Sequence, residues 1–256
     1  MRARSLVIGV FAAATAILGL AAPASAAGGN HPHIVGGSDA DQTYSFMVSL
    51  QNASGDHFCG GSLIKPDWVV TAAHCVVNES AGNVQVRIGS TDRTQGGEVA
   101  QVSDLIPNPN YDGQGAGNDI ALVHLAAPVQ AAPISIAGSA QVGTQSRIIG
   151  WGQTCSQPGA CGAPQTLQQL DVSVLDAGQC TGIDGSVELC TSNPGGTAGA
   201  CYGDSGGPQI VQAGGGWQLI GDTSRSGNGD STCATGPSIY TNVTAYVDWI
   251  TQTTGG

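Results

Sequence analysis

The chain has 256 residues, 41% hydrophobic and only 10% charged, enough for one large domain or two small ones with a real core. Its formal net charge is -11, from 7 Lys and Arg against 18 Asp and Glu. Lys65, Arg87, Arg93, Arg147 and Arg225 are scattered rather than clustered, which argues against a phosphate-binding surface and hence against a nucleic-acid partner.

From the N-terminus, "MRAR" is a short basic region, "SLVIGVFAAATAILGLAA" an apolar one, and "ASA" at 24–26 a small-residue cleavage site. Residues 1–26 therefore read as a secretory signal peptide, and the protein as secreted and extracellular. A membrane anchor is the other reading of such a run. Pro23 and "ASA" favour cleavage, and nothing later is apolar enough to span a bilayer. The polar "AGGNHPH" at 27–33 reads as a short propeptide, and "IVGG" at 34–37 opens the domain 34–256. Alternation then recurs: Val84, Val86 and Ile88 against Gln85 and Arg87, and Leu170, Val172 and Val174 further on, both the pattern of half-buried strands. "DIALVHL" from 119 is nearly all apolar, as in a strand buried on both faces. Glycine-rich turn clusters at 108–119, 155–164 and 192–199 separate these runs. A helix is expected over 243–253, with Ala245, Tyr246, Trp249 and Ile250 on one stripe and Thr244 as cap. The pattern is all-β with a C-terminal α-helix, the strands closed into barrels so that no edge is left open. In an exported chain the 8 Cys point to disulfides. Cys155 and Cys161 lack the second pair and the nearby His of a zinc site, and no HExxH occurs, so no metal or cofactor is expected.

"CYGDSGGP" at 201–208 is either an ordinary glycine turn or the setting of a nucleophile, Ser205. A serine hydroxyl needs an adjacent base. His124 lies within an apolar strand and reads as a core or edge residue; His57 sits in the turn-like "SGDHFC". His74, in "VVTAAHC", has small neighbours that leave room for an imidazole to face a cleft. Asp119 opens an apolar run, so it either caps a turn after Asn118 or meets a His.

"IVGG" at 34, "TAAHC" at 71, "NDIAL" at 118 and "GDSGGP" at 203 occur in the order of the trypsin/chymotrypsin-like serine proteases, at similar distances, and "GWG" at 150 and "YTNV" at 240 match as well. The resemblance covers residues 34–256 and implies two six-stranded antiparallel β-barrels, about 34–140 and 141–240, with the active site in the cleft between them. It implies His74 as general base, Asp119 as orienting carboxylate, Ser205 as nucleophile, and the N–H groups of Gly203 and Ser205 as oxyanion hole. It also implies activation: cleavage before Ile34 frees an α-amino group that pairs with Asp204. It pairs Cys59 with Cys75, Cys180 with Cys190, and Cys201 with Cys233; Cys155 and Cys161 are left to close a local loop.

In this family the pocket base lies six residues before the nucleophile, here Gly199, so no carboxylate is placed to bind Arg or Lys. Ser224, Ser226 and Ser238 should wall the pocket, and an uncharged side chain of medium or aromatic size is expected in it. His33 precedes Ile34, where a trypsin-like activator would need Arg or Lys, so another protease, or an unusual self-cleavage, is expected to cut after His33. Arg225 stands where an aromatic is usual, either as a solvated rim charge or as a substrate contact, and Asp222 stands where an apolar strand residue is expected. Ser90 stands at the first expected ligand of the calcium loop of some relatives, near Asp92 and Glu98, which argues against calcium. The expected function is secreted endopeptidase, acting as a monomer on protein or peptide substrates and open to proteinaceous inhibitors. A catalytically inactive binding protein on the same fold is the alternative.

Overall fold

Turn clusters cut the chain into short strands in the places where apolar alternation lapses. The computed structural model describes Met1 and residues 34–113 and 116–256; the expected signal peptide and propeptide lie outside the described residues, as do His31 and His33. The strands are β1 (Ser38–Asp39), β2 (Met47–Asn52), β3 (His57–Lys65), β4 (Trp68–Thr71), β5 (Val84–Ile88), β6 (Glu98–Pro107), β7 (Ala121–Leu125), β8 (Ser135–Ile136), β9 (Gln145–Gly150), β10 (Gln168–Leu175), β11 (Glu188–Thr191), β12 (Pro208–Ala213), β13 (Gly216–Ser226) and β14 (Ser238–Asn242), followed by the helix α1 (Val247–Thr254).

Two antiparallel barrels result. The first closes in the order β2-β3-β4-β7-β6-β5, with β5 returning to β2. The second runs β10-β11-β14-β13-β12-β9 and closes through β9 and β10. Val84, Val86 and Ile88 point into the first barrel, while Ile120, Ala121, Leu122 and Val123 are all fully buried, as their unbroken apolar run requires. Closure leaves neither barrel with an open hydrogen-bonding edge. Two short strands depart from the expected division. Both β1 and β8 lie before residue 140 but pair with β10 and β13 of the second barrel. They are straps that cross to the other sheet.

The C-terminal segment also differs in detail. Residues Val243–Tyr246 form a 3₁₀ turn before α1 begins. With three residues per turn the buried stripe shifts phase: Val243, Tyr246 and Ile250 are buried and Ala245 is exposed. The cap is Asn242, not Thr244, because the Asn242 side-chain oxygen Oδ1 accepts both the Thr244 N–H (3.2 Å) and its hydroxyl (2.6 Å).

Candidate active site

His74 sits on the single 3₁₀ turn Ala73–Cys75 that follows β4. The Cys59–Cys75 disulfide ties that turn to β3. Asp119 fixes it from the other side. The His74 N–H donates to Asp119 Oδ1 (2.9 Å), and ring Nδ1 lies 2.8 Å from Oδ2. A carboxylate partner requires the proton on Nδ1, which leaves Nε2 as the basic nitrogen. Of the two readings of Asp119, the contact with a histidine is the one its carboxylate makes. Asn118 before it takes a positive φ of 59° and turns the chain, and the carboxylate still meets the histidine.

The second barrel holds Asp119 in place. The Thr241 hydroxyl donates to the Asp119 carbonyl (2.8 Å), and the Asn118 N–H donates to the Tyr246 hydroxyl oxygen (2.8 Å). In β13 the register slips between Thr223 and Arg225, so Ser224 faces no partner residue. A bulge of this kind re-aims a side chain; here the Ser224 hydroxyl donates to Asp119 Oδ2 at 2.6 Å. Burial pushes the Asp119 carboxyl up, but hydrogen bonds from His74 and Ser224 outweigh it and hold Asp119 below the usual carboxylate value.

Ser205 arrives from the loop between β11 and β12. Gly203 and Gly206 flank it with φ of 99° and 72°, and a Cβ on Gly206 would collide with Gly60 O at 2.7 Å. The loop is pinned on both sides of the cleft: Gly60 N–H donates to Ser205 O, and Gly206 N–H to Thr223 O, each at 2.8 Å. Among the described residues no acceptor meets the N–H of Gly203 or of Ser205, whereas the Asp204 N–H between them donates to Cys201 O. Two unpaired N–H groups on either side of Asp204 offer a place for an anionic oxygen. Ser205 Oγ makes no hydrogen bond to His74 here; in enzymes free of substrate such contacts are often long and tighten on binding.

Asp204 is enclosed beneath this loop at 2% exposure. It accepts the N–H groups of Gly152 (2.8 Å) and Cys201 (2.9 Å), yet burial still pushes its carboxyl up to about 7. Ile34 is buried in the second barrel's core beside Ile148, Val211, Ile220 and Tyr240. All four expected disulfides are formed. The described His/Cys group close enough to hold a metal is His74 with Cys59 and Cys75, and its sulfurs are joined to each other. In the segment of the calcium loop, the Ser90 hydroxyl donates to Gln95 O, Asp92 binds Thr94, Gln95 and Gln165, and Glu98 accepts the Gln130 N–H.

Comparison with known proteins agrees with this geometry. The family model described as Trypsin matches residues 34–250. A trypsin of Saccharopolyspora erythraea is 36% identical over 84% of this chain and 95% of its own. A trypsin of Sus scrofa is 38% identical over 86% and 95%, and trypsin theta of Drosophila erecta 36% identical over 85% and 84%. The chain belongs to the trypsin family. It is a serine-type endopeptidase with the trypsin fold.

Within this trypsin-family frame the pocket beside Ser205 is small. Its cavity of about 130 Å³ is close to the ~150 Å³ that admits a benzene ring. Ser224, Ser226 and Ser238 line it; Gly199, the expected pocket base, does not. The Asn193 amide donates to the carbonyls of Ala198 and Ala234, both at 2.9 Å, and draws Ala234 across the floor in front of Gly199. Asp230, from the long loop leading to Cys233, is the carboxylate in the lining, and it already accepts the Thr232 N–H and the Thr235 hydroxyl.

Several working residues were not legible as such. The His57 Nε2–H donates to the Gly203 carbonyl (2.9 Å), which leaves Nδ1 to accept from the Ser49 hydroxyl (2.8 Å), so His57 holds the Gly203–Ser205 loop from the first barrel. Burial lowers its pKa to about 4, which keeps it neutral near pH 7. Tyr202 reaches across the pocket mouth to Ser231 O (2.8 Å). Glu188, buried at the start of β11, pairs with Arg225. Asp222 is fully buried with neither oxygen hydrogen-bonded, and burial together with nearby Asp119 holds its carboxyl well above the usual value.

Proposed function

We propose that the mature protein is a secreted endopeptidase that cleaves peptide bonds through an acyl-enzyme on Ser205. The observation that carries this is the pairing of His74, bound twice by Asp119, with a serine loop whose Gly203 and Ser205 N–H groups are unpaired among the described residues, the two joined through Ser224, which donates to Asp119 and lines the Ser205 pocket. In the first step His74 Nε2 takes the hydroxyl proton as Ser205 Oγ bonds to the scissile carbonyl carbon. The carbonyl oxygen becomes negative and accepts from Gly203 and Ser205. One such donor lowers the barrier by roughly 3 kcal/mol. The C–N bond then breaks as the imidazolium returns the proton to the leaving amine. Water repeats the sequence on the ester and frees Ser205.

The pocket supports an uncharged residue of medium or aromatic size before the scissile bond. Ala234 Cα, Asn193 Nδ2 and Ser238 Oγ lie 3.8 Å from the place of a Cβ on Gly199, and Asp230, the carboxylate in the pocket lining, is already engaged by the Thr232 N–H and the Thr235 hydroxyl. Cleavage after His33 by a protease that does not require Lys or Arg would free the Ile34 amine for Asp204. Four disulfides fit an oxidising compartment. No helix among the described residues is long and apolar enough to cross a membrane.

A serine-directed phosphonate tests the reading on protein beginning at Ile34 and protein beginning at Ala27. The expected result is an adduct on Ser205, located by peptide mass, in the Ile34 form alone. Adducts in both forms would keep the endopeptidase and remove the activation step. No adduct in either folded form would put the inactive binding protein in its place.

A further inference from the structure

Glu188 is a buried carboxylate bonded to Arg225, which lines the groove that His74 also lines. Its side chain has 0% exposure. It accepts the N–H of Gly117, ahead of Asp119, and the N–H of Asp184, each at 2.8 Å. It also takes both ends of the Arg225 guanidinium, Nη1 at 2.5 Å and Nη2 at 3.0 Å. A charge so deeply buried persists only when paired and hydrogen-bonded, and here it is both.

The pairing decides what Arg225 can offer a ligand. A guanidinium has five N–H donors in one plane. The two on Nη1 go to Glu188 and towards Ser224 Oγ (3.4 Å); the two on Nη2 go to Glu188 and to Gly182 O (2.8 Å). Only Nε–H is left, so an incoming carboxylate cannot form the two-point pair that makes arginine a strong anion site. The flat face of the group remains. Arg225 is 31% exposed and lines both the Ser205 pocket and the adjoining groove. Tyr111, Ala116, Gly182 and Ile183 share that groove. The net charge of -11 further disfavours an anionic ligand. A planar cation with its edge occupied binds best to another planar group laid on its face.

We propose that Arg225, held flat by Glu188, is a stacking platform that selects an aromatic side chain among the substrate residues two to four places before the scissile bond. The proposal rests on Ser205 being the nucleophile of a peptide cleft. It is tested with the mature protein and peptides that share the residue at the scissile bond but carry Phe, cyclohexylalanine, Glu or Lys at each of the three preceding positions. Phe and cyclohexylalanine match in bulk, and only Phe is planar. At one position kcat/KM for Phe should exceed that for cyclohexylalanine by roughly threefold to tenfold, with Glu below both. R225K keeps the charge and loses the plane; R225L loses both. In each the ratio of Phe to cyclohexylalanine should fall to about one, and a ratio does not depend on the fraction of active protein. E188Q should release part of the guanidinium edge and raise Glu relative to Phe. A wild-type ratio near one at all three positions, a preference for Glu, or a ratio that survives R225L would overturn the proposal. If a variant does not fold, the wild-type ratios still decide. Ser205 labelling run alongside separates this failure from failure of the endopeptidase reading, in which no peptide is cleaved and no adduct forms.

Discussion

Asp204 makes a quantitative prediction about how the new N-terminus acts. Without a cationic partner its carboxyl sits at about 7 against an ordinary 3.8, because burial disfavours the charge more than the Gly152 and Cys201 N–H groups favour it. Three units at 1.36 kcal/mol each is a cost of about 4 kcal/mol for keeping this group ionised above pH 7. The folded-state value is raised, so the associated stability is present at low pH and lost as pH rises from about 4 through about 7. A free Ile34 ammonium beside Asp204 would remove that loss, since an α-amino group with pKa near 7.7–8.0 is still largely charged there. The assay is urea unfolding of the Ser205→Ala variant, which prevents self-digestion, in forms beginning at Ala27 and at Ile34, from pH 4 to pH 8. The trimmed form should gain on the longer one from about zero at pH 4 to as much as about 4 kcal/mol near pH 7.5. His57 works in the opposite direction, because its lowered pKa of about 4 costs stability as pH falls below 6.5. It is present in both forms and cancels in their difference. Parallel stability curves for the two forms would refute the pairing of Ile34 with Asp204.

Four further outcomes can be measured. His57→Ala removes the donor to the Gly203 carbonyl and should lower kcat roughly tenfold to a hundredfold with KM nearly unchanged; an unchanged kcat would show that the loop holds its shape alone. Ser224→Ala removes a 2.6 Å hydrogen bond to the Asp119 carboxylate and should lower kcat by roughly tenfold or more; a loss confined to KM would place Ser224 in the pocket only. Asp222→Asn keeps the shape and removes the buried acid, so the melting temperature at pH 8 should rise by roughly 2–8 °C and that at pH 5 should change less; a fall at pH 8 would mean that the carboxylate has a partner. Replacing both cysteines by serine should cost about 2 kcal/mol for Cys155–Cys161 and about 4 kcal/mol for Cys201–Cys233, whose sequence separations are 6 and 32; equal costs would point to strain or unfolded-state structure instead of loop closure.

What the sequence shows and what it hides differ in kind. Val84, Val86 and Ile88 announce their strand because alternation is a local property, and each side chain needs only the nearest core. His74, Asp119 and Ser205 were legible through short motifs, since the backbone around each must take one particular turn. Such motifs carry no account of what supports them. The bulge that aims Ser224 at Asp119 arises from pairing β13 with β14, and nothing within "GDTSRSG" alone reveals it. His57 looks like a loop residue until β3 is laid beside the oxyanion loop more than a hundred residues later in the chain.

The acidic residues of the second barrel show the same limit. Glu188, Thr241 and Asp222 are opposite one another across β11, β14 and β13. The residue spacing gives no hint of that row. Its three members meet the segment 117–119 differently: Glu188 holds the Gly117 N–H, Thr241 holds the Asp119 carbonyl, and Asp222 adds a carboxyl near Asp119. The Asp119 carboxylate is thus stabilised by hydrogen bonds from His74 and Ser224 and that of Glu188 by backbone N–H groups and Arg225, whereas burial and nearby Asp119 hold the Asp222 carboxyl well above the usual value. An apolar residue at 222 would avoid that constraint, and an aromatic residue at 225 would leave Glu188 unpaired. The departures at 222 and 225 are therefore separate in cause: Arg225 is required by Glu188, while Asp222 adds a charge-sensitive element that neither Glu188 nor Arg225 relieves.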